Sequence, residues 1–165
     1  MIGGTMTREE YLNGINEFFY QGEVLGEAVF AYHVKHERDE QRRKKWAALL
    51  QLETETKARL RPFLQSLGLS VAQDDVTARI GEITAGFETK SWQQHMKEID
   101  EITSFFLEKF RAIEAAAPVG PERDMASAMV QHETAINNFA KREMAGDSAN
   151  SLVDVVAELK WPLGR

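Results

Sequence analysis

The sequence predicts an all-α fold: an up-and-down bundle of four long helices followed by a short fifth helix at the C-terminus. Three observations carry this expectation. Apolar residues recur at helical spacing over four stretches, capping and breaking residues fall at the ends of those stretches, and no alternating run of β-branched residues lies between turn dipeptides. No internal repeat or low-complexity tract interrupts the pattern.

The first helix opens at Thr7, with Glu10 three residues on, a pairing in which each side chain can satisfy a free amide of the first turn. Tyr11, Ile15, Phe18, Gly22, Leu25 and Val29 fall on one stripe, widened by Leu12, Phe19, Gly26 and Phe30, so burial against more than one neighbour is expected. Gly14, Gly22 and Gly26 each cost up to about 1 kcal/mol relative to Ala inside a helix, which points to close helix approach or to a local irregularity. The second helix is predicted from about Asp39 to Ser66, with Trp46, Leu49, Leu50, Glu53, Leu60 and Leu64 inward and Gly68 as its C-terminal cap. Pro62 predicts a kink or an early end near Arg61. Ser70 to Thr89 is less periodic and reads as a capped short helix or an irregular entry to the third helix.

From Ser91 the period returns through Trp92, His95, Met96, Ile99, Ile102, Thr103, Phe106, Phe110 and Ile113, ending at Ala117-Pro118. Pro121 suits the first turn of a fourth helix carrying Met125, Met129, His132, Ile136 and Phe139 inward and ending at Gly146. Asp147 or Ser148 then caps a fifth helix through about Lys160.

With 165 residues, 43% hydrophobic and 28% charged, the chain fits one domain over 1–165, its residues 1–6 expected to form a disordered N-terminus. A chain of this length buries roughly two-thirds of its unfolded surface, enough for a core without staples. The absence of cysteine excludes disulfides, thiolate metal sites and a cysteine nucleophile, and fits a cytoplasmic location. The start MIGGTMTREE has neither a basic nor an apolar leader region, and no stretch has the apolar length of a membrane span. A net charge of -6 argues against a broad nucleic-acid footprint. The run KHERDEQRRKK at 35–45 mixes both signs and reads as a solvated helix end, with an anionic partner as the minor alternative.

Functional candidates are polar residues inside the apolar stripes, because a buried charge must be paired, protonated or bound to a metal. Glu53 lies at the centre of the second helix's apolar sector, whereas Glu55 points away. Glu23 lies at the edge of the first helix's stripe and Glu27 farther round. The third helix offers His95, and the fourth offers His132 centrally with Glu133 at the margin. For Glu53 the alternative is pairing with a cation such as Arg59 or Arg142, or protonation. For His95 and His132 it is a satisfied core histidine.

Four long helices with inward Glu23 or Glu27, inward Glu53 and the pair His132-Glu133 resemble the ferritin-like di-metal carboxylate bundles over essentially the whole chain. The resemblance implies two metal ions held by a Glu from each of two helices and a Glu-x-x-His motif from each of the other two. This sequence departs from that pattern. The residue three after Glu53 is Thr56, His132 follows Met129, Glu133 is followed three residues on by Ile136, and the third helix presents His95 rather than a carboxylate. Neither Glu-x-x-His motif is whole, and adjacent His132 and Glu133 diverge by about 100° around a helix.

Two readings follow. One is an altered site binding a metal through Glu23, Glu53, His95, His132 and Glu133, with iron or manganese expected ahead of zinc. The other is a metal-free structural or binding bundle, able to form a homodimer or to hold a small apolar ligand. No serine-hydrolase elbow, phosphate or dinucleotide loop, or H-E-x-x-H zinc motif is present, so the sequence assigns no catalytic residue and leaves enzymatic activity open.

Overall fold

A computed structural model describes residues 6–161, which are all-helical, with no strand among the described residues. The first helical run comprises α1 (Arg8–Gly14), a π-helical segment (Ile15–Tyr20) and α2 (Gln21–His36). The predicted capping box is present: Thr7 Oγ1 accepts from the Glu10 amide and the Glu10 carboxylate accepts from the Thr7 amide. The predicted disordered segment lies outside the described residues except for Met6, which packs against the core.

The wide π turn has a structural consequence. It inserts an extra residue into the helical repeat, so the inward face beyond it is rotated relative to an uninterrupted helix. Glu23, Val24 and Leu25 are buried, whereas Gly22 and Val29, expected on the stripe, are only partly so. The glycines permit close approach as well: a Cβ on Gly14 would lie 3.2 Å from Ile113, and one on Gly26 would lie 2.7 Å from the Glu53 carboxyl carbon.

Asp39 caps α3 (Glu40–Ser66), accepting from the Arg42 amide at 2.8 Å. Residues 38–44 are exposed, as a solvated helix end requires. The helix runs through Pro62 to Ser66, so the early end is not found; the proline sits so near the terminus that few ladder bonds remain to be lost. Gly68, at φ 72°, closes it, with the Leu69 amide donating back to the Leu64 carbonyl.

Residues 67–91 contain α4 (Thr77–Thr84) and a short 3-10 turn, Phe87–Thr89. A Ser91–Gln94 capping box then starts α5 (Trp92–Ala116), Pro121 opens α6 (Pro121–Met144), and α7 (Val153–Glu158) is the last helix among the described residues. The last helix begins later than expected, because residues 147–152 form turns anchored by Asp147, Ser148 and Asn150.

Side-chain partners give the helix directions. Glu27 of α2 meets Thr54 and Lys57 of α3, and Tyr20 meets Arg61, so the first run and α3 are antiparallel. Ser127 meets Glu114 and Asn137 meets Asp100, so α5 and α6 are antiparallel too. Trp46 at the start of α3, however, meets Trp92 at the start of α5 edge to face, with ring centroids 5.0 Å apart, while Leu60 and Leu64 join Phe110 and Ile113 in one cluster at the other end. Helices α3 and α5 therefore run parallel. This corrects the expected up-and-down path: the 67–91 segment is a crossover that carries the chain back along an α3 about 40 Å long. Its weak periodicity had hidden that distance.

Candidate metal centre

Three helices bring Glu23, Glu53 and His132 together. One ligand atom from each lies within 4.8 Å of the others. Glu23 is 2% exposed, Glu53 5% and His132 1%, so all three are withdrawn from water. The π turn rotates Glu23 inward, the 3.6-residue period of α3 presents Glu53 beside Trp46, Leu49 and Leu60, and the period of α6 presents His132 between Met129 and Ile136. Gly26 leaves the space into which the Glu53 carboxyl fits.

His132 Nε2 stands 3.1 Å from Glu23 Oε1 and 3.8 Å from Glu53 Oε2. Despite the short separation, the atoms are not aligned as donor and acceptor, and neither Nε2 nor Glu23 Oε2 makes a hydrogen bond. A nitrogen and a carboxyl oxygen left without partners in a buried cluster are what a cation site offers, beside the hydrogen bond that Glu23 and Glu53 share. On the other side of the ring, His132 Nδ1 is 3.1 Å from Thr56 Oγ1. When Nδ1 carries the proton and donates to Thr56, Nε2 faces the carboxylates with a free lone pair, the form that ligates metals.

Burial dominates the electrostatics. It pushes the Glu23 carboxyl up to about 8, with nearby Glu133 adding to the rise while a hydrogen bond with Glu53 opposes it. Burial and the charge of Glu23 raise Glu53 well above the usual carboxylate range, and His132 partly offsets this. Glu133 is likewise raised by burial to about 8. Expected cation partners for Glu53 do not materialise: Arg59 is exposed and Arg142 pairs with Asp154 at 3.2 Å. The buried lysine nearby, Lys57, is engaged by Glu27, which also accepts from Thr54. Glu27 is thereby occupied as an ion-pair partner. Glu143 is similarly held by Lys45 and Trp92.

The remaining candidates are placed differently. Glu133 is 7% exposed and lines a cavity that Glu23 and Glu53 also line, but it is not among the three converging residues. His95 lies outside that trio too. Its Nε2 is 3.2 Å from the Phe87 carbonyl oxygen and its ring packs against Phe87, His33 and Trp46. Burial lowers its pKa, as it lowers that of His33, which falls to about 3. His33 was absent from the sequence expectations, although it stands four residues after Val29 and three after Phe30, on the predicted stripe of its helix. Thr56 was also missed as a partner, although it stands three residues after Glu53, on the same face and at the position where the ferritin-like motif would carry histidine.

The cavity itself has a volume of about 140 Å³ and lies between α2 and α5, with Ile83 of α4 at its edge. Its floor is formed by buried Glu53, Glu133, Phe110 and Ile136, whereas Ile102 at its rim is 40% exposed. The chain matches no family model, no curated protein and no solved structure.

Proposed function

We propose that this chain is a ferritin-like helical bundle that binds one divalent transition-metal ion through Glu23, Glu53 and His132. The observation that carries this reading is the convergence of two carboxylates and an imidazole in the buried core, with a free oxygen on Glu23, a free nitrogen on His132 and, among the described residues, no lysine or arginine in an ion pair with them. Two oxygens and one nitrogen suit manganese or iron ahead of zinc. The ferritin-like reading draws support from two antiparallel helix pairs joined by a single long crossover, the connectivity typical of that group. Glu133 supplies a further carboxylate at the cavity side, and Thr56 holds the His132 ring.

A second reading rests on a specific observation: with Glu23 and Glu133 raised to about 8, these side chains stay neutral at pH 7 and occupy the core as carboxylic acids without any metal. Metal analysis of the full chain purified without chelator separates the two, followed by thermal melting with excess EDTA and with added Mn(II), Fe(II) or Zn(II). The metal reading expects about one ion per chain and a lower Tm on chelation, because a ligand of the native state alone stabilises it. His132→Ala and Glu53→Gln should abolish that binding. A folded chain with no bound ion, whose melting no added metal shifts, overturns it.

A further inference from the structure

We infer that the cavity between α2 and α5 is a binding chamber for a small apolar molecule of about the size of benzene or toluene, held directly beside the Glu23, Glu53 and Glu133 side chains. The inference deepens the metal reading by naming the class of molecule presented to that site, and its catalytic meaning rests on that reading, although the binding itself does not.

Size and chemistry agree. The volume is about 140 Å³, and a dry protein cavity of about 150 Å³ lined by aliphatic and aromatic side chains takes up benzene. Hydrocarbon lines most of this wall, including Val29 and Phe30 of α2 and Ile99, Ile102 and Phe106 of α5. Gly22 contributes to the space by having no side chain: a Cβ there would lie 3.4 Å from the Phe106 ring, filling part of the gap. The chamber is also accessible. Val29 and Phe106 are half-buried and Ile102 is 40% exposed, so a path runs from the surface past these residues to the buried floor at Ile136 and Phe110. An apolar guest of matching shape gains dispersion contacts along these walls.

The occupant is set by the wall, in which His33 is one of the buried polar residues. His33 is 6% exposed, lines the chamber and has an Nδ1 with no hydrogen-bond partner. That nitrogen is sealed from the chamber as well as from solvent, so the hydrocarbon wall sets the occupant and phenol should bind no more tightly than toluene.

The test uses the full chain, stripped of metal with EDTA, titrated with toluene and then with phenol while melting and amide NMR shifts are followed. The expected result is a rise in Tm with both probes and shifts concentrated at residues 22–33 and 99–110. Val29→Phe, which fills the chamber from a residue that is not one of the proposed metal ligands, should weaken toluene binding by about tenfold or more. Ile102→Phe at the rim serves the same purpose should Val29→Phe fail to fold. Absence of any shift with toluene, or undiminished binding in a folded chamber-filling variant, overturns the inference. Metal titration of the unsubstituted chain keeps the two readings apart: metal bound without toluene sinks the chamber alone, and toluene bound without metal sinks the metal site alone.

Discussion

Gly26 on α2 and Glu53 on α3 occupy one another's space: a methyl group on Gly26 would lie 2.7 Å from the Glu53 carboxyl carbon and within 2.9 Å of both its oxygens. The glycine is therefore the reason a carboxyl group can lie flat against the neighbouring helix. Glu53 is 5% exposed and cannot retreat into solvent without uncovering the core.

Gly26→Ala should consequently destabilise the protein by about 1–3 kcal/mol, the usual range for overpacking, although alanine gains up to about 1 kcal/mol in helix propensity. The double variant Gly26→Ala, Glu53→Ala should recover part of that loss, because it removes the atoms that collide. Denaturant melts of the single and double variants measure the coupling. A stabilised Gly26→Ala would show that the carboxyl does not pack there.

Stability of the metal-free protein should fall as pH rises from 6.5 to 8. Glu23 and Glu133 hold their protons up to about 8 in the folded chain, against an ordinary value of 4.5 once unfolded. Their contribution is complete below 4.5 and is lost as pH rises to about 8. His33 works in the opposite sense: lowered from 6.5 to about 3, it makes stability rise with pH between those values and has no further effect above 6.5. The window from 6.5 to 8 thus isolates the carboxyls. Chemical denaturation in EDTA across it should show a decline that Glu23→Gln reduces.

Metal affinity should follow the reverse slope. An ion entering the site displaces the protons on Glu23 and Glu53, so its apparent affinity should climb with pH until the carboxyls ionise unaided. Calorimetric titration with Mn(II) at pH 6, 7 and 8 in buffers of differing ionisation enthalpy would count the protons released. Binding that is independent of pH, with no proton release, would contradict the assignment of these ligands.

Thr56→Val should keep the fold and lower metal affinity by about 10- to 100-fold, the usual consequence of losing a ligand's hydrogen-bond partner. The hydroxyl lies 3.1 Å from His132 Nδ1 in a buried setting, and valine leaves that nitrogen without a partner. Thr56→Ser should restore binding, which a purely steric role for the threonine methyl would not predict.

Lys57→Met should cost about 3 kcal/mol in stability, the lower end for breaking a buried ion pair, because the Glu27 side chain retains 24% exposure. Replacing Glu27 with Gln in the same chain should return much of it. Thermal melts of the three variants decide the point.

Much of the architecture was legible in local chemistry. Thr7 with Glu10, Asp39, Ser91 with Gln94, Pro121, Gly68 and Gly146 mark helix ends through interactions spanning a few residues, so sequence determines them directly. The inward placement of Glu53 and His132 followed from unbroken periodicity on α3 and α6. The π turn at Ile15–Tyr20 was not legible, because it changes the helical repeat without a proline or any other local breaker. Glu23 therefore looked marginal, although it is buried, whereas His33 was legible four residues after Val29 and was passed over.

Local sequence determined which segments are helical, where most of them begin and end, and that Glu53 and His132 lie on their apolar faces, since those properties depend on neighbours within a turn or two. Tertiary structure alone decided that α3 and α5 run parallel, that Lys57 belongs to Glu27 rather than to Glu53, and that Glu23, Glu53 and His132 converge. The physical reason is range. Capping and periodicity act over a few residues, whereas pairing a buried charge requires side chains brought together from separate helices, and only their packing fixes which partner each one meets.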